Sequence, residues 1–160
     1  MGPDEARARF HELRKREAGV VPAELDEVWA ALPAVRAEEI LGEWRGAAFA
    51  TGHRLREALV AHRWRGKVFR SLSDVKPLIC LDENDEPFSN VELGMGEASL
   101  WNVEFRGEVT AAMVYDGQPI LDHFKRVDDQ TLMGLMNGTS ELVWDQGEHF
   151  YFLLERDRIR

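Results

Sequence analysis

The sequence predicts a mainly β (α+β) fold, an antiparallel β-barrel of about seven to eight short strands preceded by short N-terminal helices. Three observations lead there. Helical spacing of apolar residues is confined to residues 4–65. From Gly66 onward, apolar and polar residues alternate in short runs, as strands with one buried face require. Tight-turn signals separate those runs at near-regular spacing: Gly107, Asp116-Gly117, Asp128-Asp129-Gln130 and Asn137-Gly138. A meander of this kind hides its edges by closing on itself. Around eight strands then leave a lumen that is filled by side chains or holds one small ligand.

In chain order, residues 4–17 are rich in Ala, Arg and Glu, with Phe10 and Leu13 as the large apolar positions. So narrow a stripe predicts a solvent-exposed helix, frayed at its start. Leu25, Val28, Trp29 and Leu32 then fall at i, i+3, i+4 and i+7, between Pro22 at a helix start and Pro33 at its stop. Residues 1–36 form a helical extension packed on a barrel unit of residues 37–160. Ala37 to Leu41 reads as a last helical turn capped by Gly42. A short strand is expected around Ala47 to Ala50, and a further helix over Arg54 to Arg65.

The remaining strand candidates are Lys67–Arg70, Val75–Leu81, Trp101–Arg106, Val109–Tyr115, Gln118–Val127, Thr131–Met136 and Glu148–Glu155. Within them Trp101, Val103 and Phe105 share one face, and Val109, Ala111, Met113 and Tyr115 share another. Asp82 to Pro87 is an acidic turn without the glycine and distal Glu of an EF-hand loop.

Twenty basic against 29 acidic residues give a formal net charge of −9. That balance argues against nucleic-acid binding, which needs a clustered positive surface, and against docking on an anionic membrane. No apolar run approaches the length that spans a bilayer, and no charged-then-apolar leader opens the chain. No stable membrane insertion and a cytoplasmic location are therefore expected. Cys80 is the single cysteine, in the apolar run Leu78-Ile79-Cys80-Leu81, and reads as a buried core thiol. The five histidines lack ligand spacing, and no phosphate loop, nucleophile elbow or dinucleotide fingerprint is present. No metal and no cofactor are expected.

The segment Leu41-Gly42-Glu43-Trp44-Arg45-Gly46 resembles the signature of the bacterial GXWXG-protein family. Arg106-Gly107-Glu108, residues 111–116, residues 119–124, Gly134-Leu135-Met136-Asn137 and residues 150–156 resemble its companion region, domain of unknown function 4334. The family often carries Asp where Asn137 stands. The resemblance covers roughly residues 24–157 and implies a shared fold but no activity. Gly-x-Trp near a first strand is also similar to the lipocalins, which hold apolar ligands in eight-stranded barrels; hence a lipocalin-like barrel is the expected form.

The polar–aromatic strand Pro119 to Val127 is the leading site candidate. Asp122 and His123 are neighbours on a strand, so only one can face the lumen: Asp122 if Ile120 and Phe124 do, His123 if Leu121 does. Either would be desolvated there and suited to acid–base work, with Tyr115 as a partner. Trp44, Trp101, Met113, Tyr115, Phe124, Met136 and Tyr151 are the expected ligand-binding lining, although Trp44 between two glycines also reads as a structural plug. Three functions follow. The first is a cytoplasmic barrel holding a hydrophobic or amphipathic small molecule or lipid. The second is a cofactor-free enzyme using the catalytic candidates Asp122, His123 and Tyr115. The third is a protein-interaction module formed by the N-terminal helices and the acidic loop. A homodimer is compatible with each.

Overall fold

A computed structural model describes residues 1–159. Two helices come first, α1 (Pro3–Lys15) and α2 (Pro22–Ala31), followed by a 3₁₀ turn at Ala37–Glu39. Strand β1 (Gly42–Ala48) leads into α3 (Leu55–Ala61), β2 (Trp64–Phe69), β3 (Val75–Leu81), the short β4 (Pro87–Ser89) and α4 (Val91–Gly94). The chain then meanders through β5 (Ala98–Phe105), β6 (Glu108–Tyr115), β7 (Ile120–Asp128), β8 (Thr131–Gly138) and β9 (Phe150–Arg156).

All pairings are antiparallel, in the order β2-β1-β9-β8-β7-β6-β5-β3-β4, and β2 also pairs with β3. That last pairing closes an eight-stranded barrel, with β4 appended outside the ring. The predicted fold class is therefore correct. Among the described residues, no helix is long and apolar enough to cross a membrane.

Two cores result. The lumen is filled by inward residues such as Trp44, Phe69, Met113, Phe124, Phe152 and Leu154. A second core lies outside the barrel, where Phe10, Leu13, Leu25 and Trp29 of the helices cover Met133, Leu135, Tyr151 and Leu153 of β8 and β9. This explains why β9 reads Phe-Tyr-Phe-Leu-Leu without alternation: both of its faces are covered.

Four local expectations change. Helix α1 is not solvated on all sides, since Ala6, Phe10 and Leu13 are fully buried and Phe10 meets Phe49 edge-on at 5.3 Å. Its narrow stripe suffices because it packs in the angle between α2 and the sheet. The Gly42–Gly46 motif does not precede the first strand; it is that strand. The residues before it form a 3₁₀ turn rather than an α-helical end. Helix α3 ends at Ala61, and Trp64 already belongs to β2.

Gly42, Trp44 and Gly46 all sit on the inward side of β1, which gives the motif a steric meaning. Trp44 is buried in the lumen core, its Nε1 donating to the Ile40 carbonyl at 2.8 Å. A Cβ at Gly46 would lie 2.0 Å from the Trp64 ring, so only glycine lets that indole enter the lumen. The Arg156 guanidinium passes beside Gly42 to donate to the Leu41 carbonyl at 2.7 Å and lies 4.2 Å from the Trp44 ring centre. The motif thus builds a packed, sealed region of the barrel.

Candidate functional site

The lumen is not filled throughout. It keeps a cavity of about 240 Å³. Its apolar walls come from Leu55 and Leu59 of α3, Leu78 of β3, Leu93 of α4, Met136 of β8, and Phe150 and Phe152 of β9. Helix α3 buries none of its residues fully and lies across the cavity as a roof. It is tied down at its start, where Arg54 donates to the carbonyls of Glu141 and Trp144 and its backbone N–H to Asp145 at 2.9 Å. Arg63, just past the helix, is engaged by the carbonyl of Asp82 and the carboxylate of Asp85. Arg54 and Arg63, at the two ends of α3, are thus committed to neighbouring loops.

Besides His62 at the exposed rim and Gln118, whose Nε2 donates to the Gly94 carbonyl at 2.8 Å, the polar groups of the cavity wall are Asp122, Lys67 and Tyr115, which lie together. Strand β7 directs Ile120, Asp122 and Phe124 inward, so Asp122 is the member of the Asp122–His123 pair that reaches the lumen. Opposite it stands Lys67 of β2, whose Nζ is 3.2 Å from Asp122 Oδ2, with both side chains 3 % exposed. Lys67 Nζ also donates to the Pro77 carbonyl at 3.2 Å. The rings of Phe152, Trp64 and Tyr115 surround it, with centres at 5.4, 5.6 and 5.7 Å.

Asp122 Oδ1 is buried with no hydrogen-bond partner among the described residues. Burial raises the Asp122 carboxyl above its ordinary range, and the Lys67 charge partly opposes it. Burial lowers the Lys67 ammonium, and Asp122 opposes that in turn. Tyr115 is pushed well above the usual phenol range by burial and then by the Asp122 charge, so it keeps its proton.

Lys67 shares the inward face with Phe69, two residues on, and pairs with the inward Trp44 across the β1–β2 ladder; it is Trp64 that reaches the same side through an irregularity. Trp64 and Lys67 are three apart, yet both line the cavity, which simple alternation forbids. The β2–β3 register shifts on both sides of Gly66, and a Cβ there would sit 1.9 Å from the Trp44 carbonyl oxygen. On the facing strand Pro77 has no N–H for the ladder, and its carbonyl accepts from Lys67 and from Trp64 Nε1 at 3.3 Å. Sequence reasoning missed Lys67, although its alternation with the apolar Phe69 was a signal that could have placed it on the inward face.

The sequence-selected residues separate into three groups. Tyr115, Asp122 and Met136 line the cavity. Trp44, Met113 and Phe124 face inward but belong to the packed part of the lumen. The other three lie on the outer face: Trp101 and Tyr151 do not reach the lumen as expected, and of the Asp122–His123 alternative it is His123 that turns outward. Trp101 is 59 % exposed, its Nε1 donating to Ser99 Oγ at 2.9 Å. Tyr151 lies under α2, its hydroxyl donating to Asp26 Oδ1 at 2.7 Å. His123 stacks on Phe105 with ring centres 3.9 Å apart, and Asn137 Nδ2 lies 3.1 Å from its Nε2. Both outward aromatics satisfy the alternation rule; their strands simply run with the opposite phase to the one expected.

Comparison with known proteins agrees with the fold. The family model described as GXWXG protein matches residues 27–85, and that described as domain of unknown function (DUF4334) matches residues 96–156. No curated protein matches the chain. A crystal structure of a protein from Thermomonospora curvata is similar over 96 % of this chain and 99 % of that one, with 35 % sequence identity and a TM-score of 0.85. With both models matched in order and a relative of this identity along nearly its whole length, the chain belongs to the GXWXG family with its companion domain of unknown function.

Proposed function

We propose that this barrel binds a small amphipathic molecule in its lumen. The observation that carries this reading is the cavity itself. Protein interiors are close-packed, yet here about 240 Å³ is left open between apolar side chains and a single ionic pair. Apolar walls with a few convergent polar groups are the usual composition of a small-molecule site. The volume is that of about eight liquid waters, so the ligand is compact, or only the end of a longer chain enters. Native mass spectrometry of the purified protein, joined to a thermal-shift screen of fatty acids, lipids and small alcohols, tests the reading. Stabilisation that disappears in Met136→Trp, which fills the cavity, is the expected result; no stabilising compound and no co-purifying mass would sink it.

One observation favours a second reading, cofactor-free acid–base catalysis in the same cavity. Asp122 and Tyr115 are both shifted toward their protonated forms there, and Lys67 stands beside Asp122 as a proton partner. Asp122→Asn would then abolish turnover of an identified substrate while binding persists. Unchanged turnover in a folded Asp122→Asn protein would end this reading.

A further inference from the structure

The Lys67–Asp122 pair is more than a neutralised charge, because neither partner is saturated. An ammonium has three N–H donors. Those of Lys67 go to Asp122 Oδ2 and the Pro77 carbonyl, and no third acceptor is present among the described residues. Asp122 Oδ1 is buried and accepts nothing. Both side chains line the cavity. The pair therefore has one unused donor and one unused acceptor on a net charge of zero; Oδ1 lies just inside the wall, so a head group reaches it by a small turn of the Asp122 carboxylate.

We propose that this pair selects an uncharged head group that both donates and accepts, an alcohol or a primary amide, over an ionised acid or amine. The inference rests on the lumen-binding reading above and names the ligand class for it. A hydroxyl accepts from Lys67 Nζ while donating to Asp122 Oδ1, completing both groups at once. A carboxylate would meet Lys67 but bring a second anion against Asp122; an ammonium would meet Asp122 but crowd Lys67. Either adds a charge without its own counter-charge to a site whose remaining walls are mostly apolar. Tyr115 stays protonated and adds no charge, and His62 on the same wall is exposed at the rim. The body attached to the head is short, since the cavity has the volume of about eight waters.

A hexyl series isolates the head group: 1-hexanol, hexanamide, hexanoate, hexylamine and hexane, titrated at pH 7 into the ¹⁵N-labelled full chain and followed by NMR. Hexanol and hexanamide are expected to bind at least about tenfold tighter than hexanoate and hexylammonium, and tighter than hexane. In Asp122→Asn, Lys67 keeps its charge without an anion, so the hexanoate-to-hexanol ratio should rise about tenfold or more. The double variant Lys67→Met/Asp122→Leu should hold hexane and hexanol about equally.

Hexanoate binding wild type as tightly as hexanol, or hexane binding as tightly, would overturn the head-group selection while leaving lumen binding intact. The same holds if the hexanoate ratio stays constant in Asp122→Asn. Should that variant not fold, the wild-type ranking alone decides. If no member of the series moves any resonance of the cavity wall, the lumen reading fails and the selection falls with it.

Discussion

Strand β7 carries ionisable groups on both of its faces, and the two faces solve the burial of those groups differently. Inward, Asp122 is desolvated and stays compatible with the lumen because Lys67 stands 3.2 Å away. Outward, His123 is 1 % exposed and has no acid beside it. Burial lowers its imidazole to about 4, with His149 and Arg106 adding to the effect, so it is neutral at pH 7. Arg106 lies 5.0 Å from the ring of Phe105, on which the His123 imidazole is stacked. Two positions on, Lys125 is also buried, but it closes the C-terminal end of α2: its Nζ donates to the Trp29 carbonyl at 3.0 Å and to Glu108 Oε1 at 2.6 Å.

The difference teaches where function is to be sought. On the outer face Lys125 bonds Trp29 and Glu108, Tyr151 bonds Asp26, and the His123 ring is stacked and bonded through Nε2; its Nδ1 is buried without a partner, but His123 does not line the cavity. On the inner face one carboxylate oxygen is left for something else. A buried group without a partner is costly in a folded protein, and here the side chain that carries it lines a space large enough to hold one.

The largest expected effect breaks the inner pair. Lys67→Met strands Asp122 in the lumen and should lose about 3–5 kcal/mol in denaturant unfolding. Adding Asp122→Leu should recover most of that loss, because an apolar pair of similar volume needs no counter-charge. A double variant as unstable as the single would show that the pair is not the source.

Next comes the pH dependence of the outer face. The folded-state pKa of His123 lies below its ordinary 6.5, so the native state resists protonation while the unfolded chain accepts it. Its contribution is complete above pH 6.5, is lost as the pH falls, and levels off below about 4. The loss is on the order of 2–3 kcal/mol. His123→Asn should flatten the unfolding free energy between pH 6.5 and 4 relative to wild type, and an unchanged slope would assign it elsewhere.

Smaller still, Tyr151→Phe removes the hydroxyl that donates to Asp26 and should cost about 1.5–3 kcal/mol of stability without altering lumen binding. Trp101→Ala should change stability by about 0.5 kcal/mol or less, and should not affect ligand affinity, because that ring stands in solvent. A loss of binding in Trp101→Ala would move the site to the outer face and reverse the comparison.

Much of this was legible in the residues themselves. Periodicity and turn chemistry are local properties, and they sufficed for the antiparallel meander, for β3 over Val75–Leu81 and for α2 from Pro22. The same rule showed that Asp122 and His123 must part company, and that Ile120 and Phe124 would take Asp122 with them. The sequence alone therefore determined the fold class, the family, and the strand that carries the lumen carboxylate.

Which face of a strand is the inside was not local, and the tertiary structure decided it. In β9, helices cover one side and the lumen the other, so both sides are apolar and Tyr151 cannot be assigned by pattern. In β5, Trp101 is the large aromatic that stands in solvent, while Ala98 and Leu100 fill the interior. In β2, the bulge at Gly66, opposite Ile79, reverses the phase and brings Trp64 to the inward side that Lys67 and Phe69 already share. The physical reason is common to all three. Alternation specifies which residues share a face, but barrel closure, helix cover and a break in register determine what that face meets.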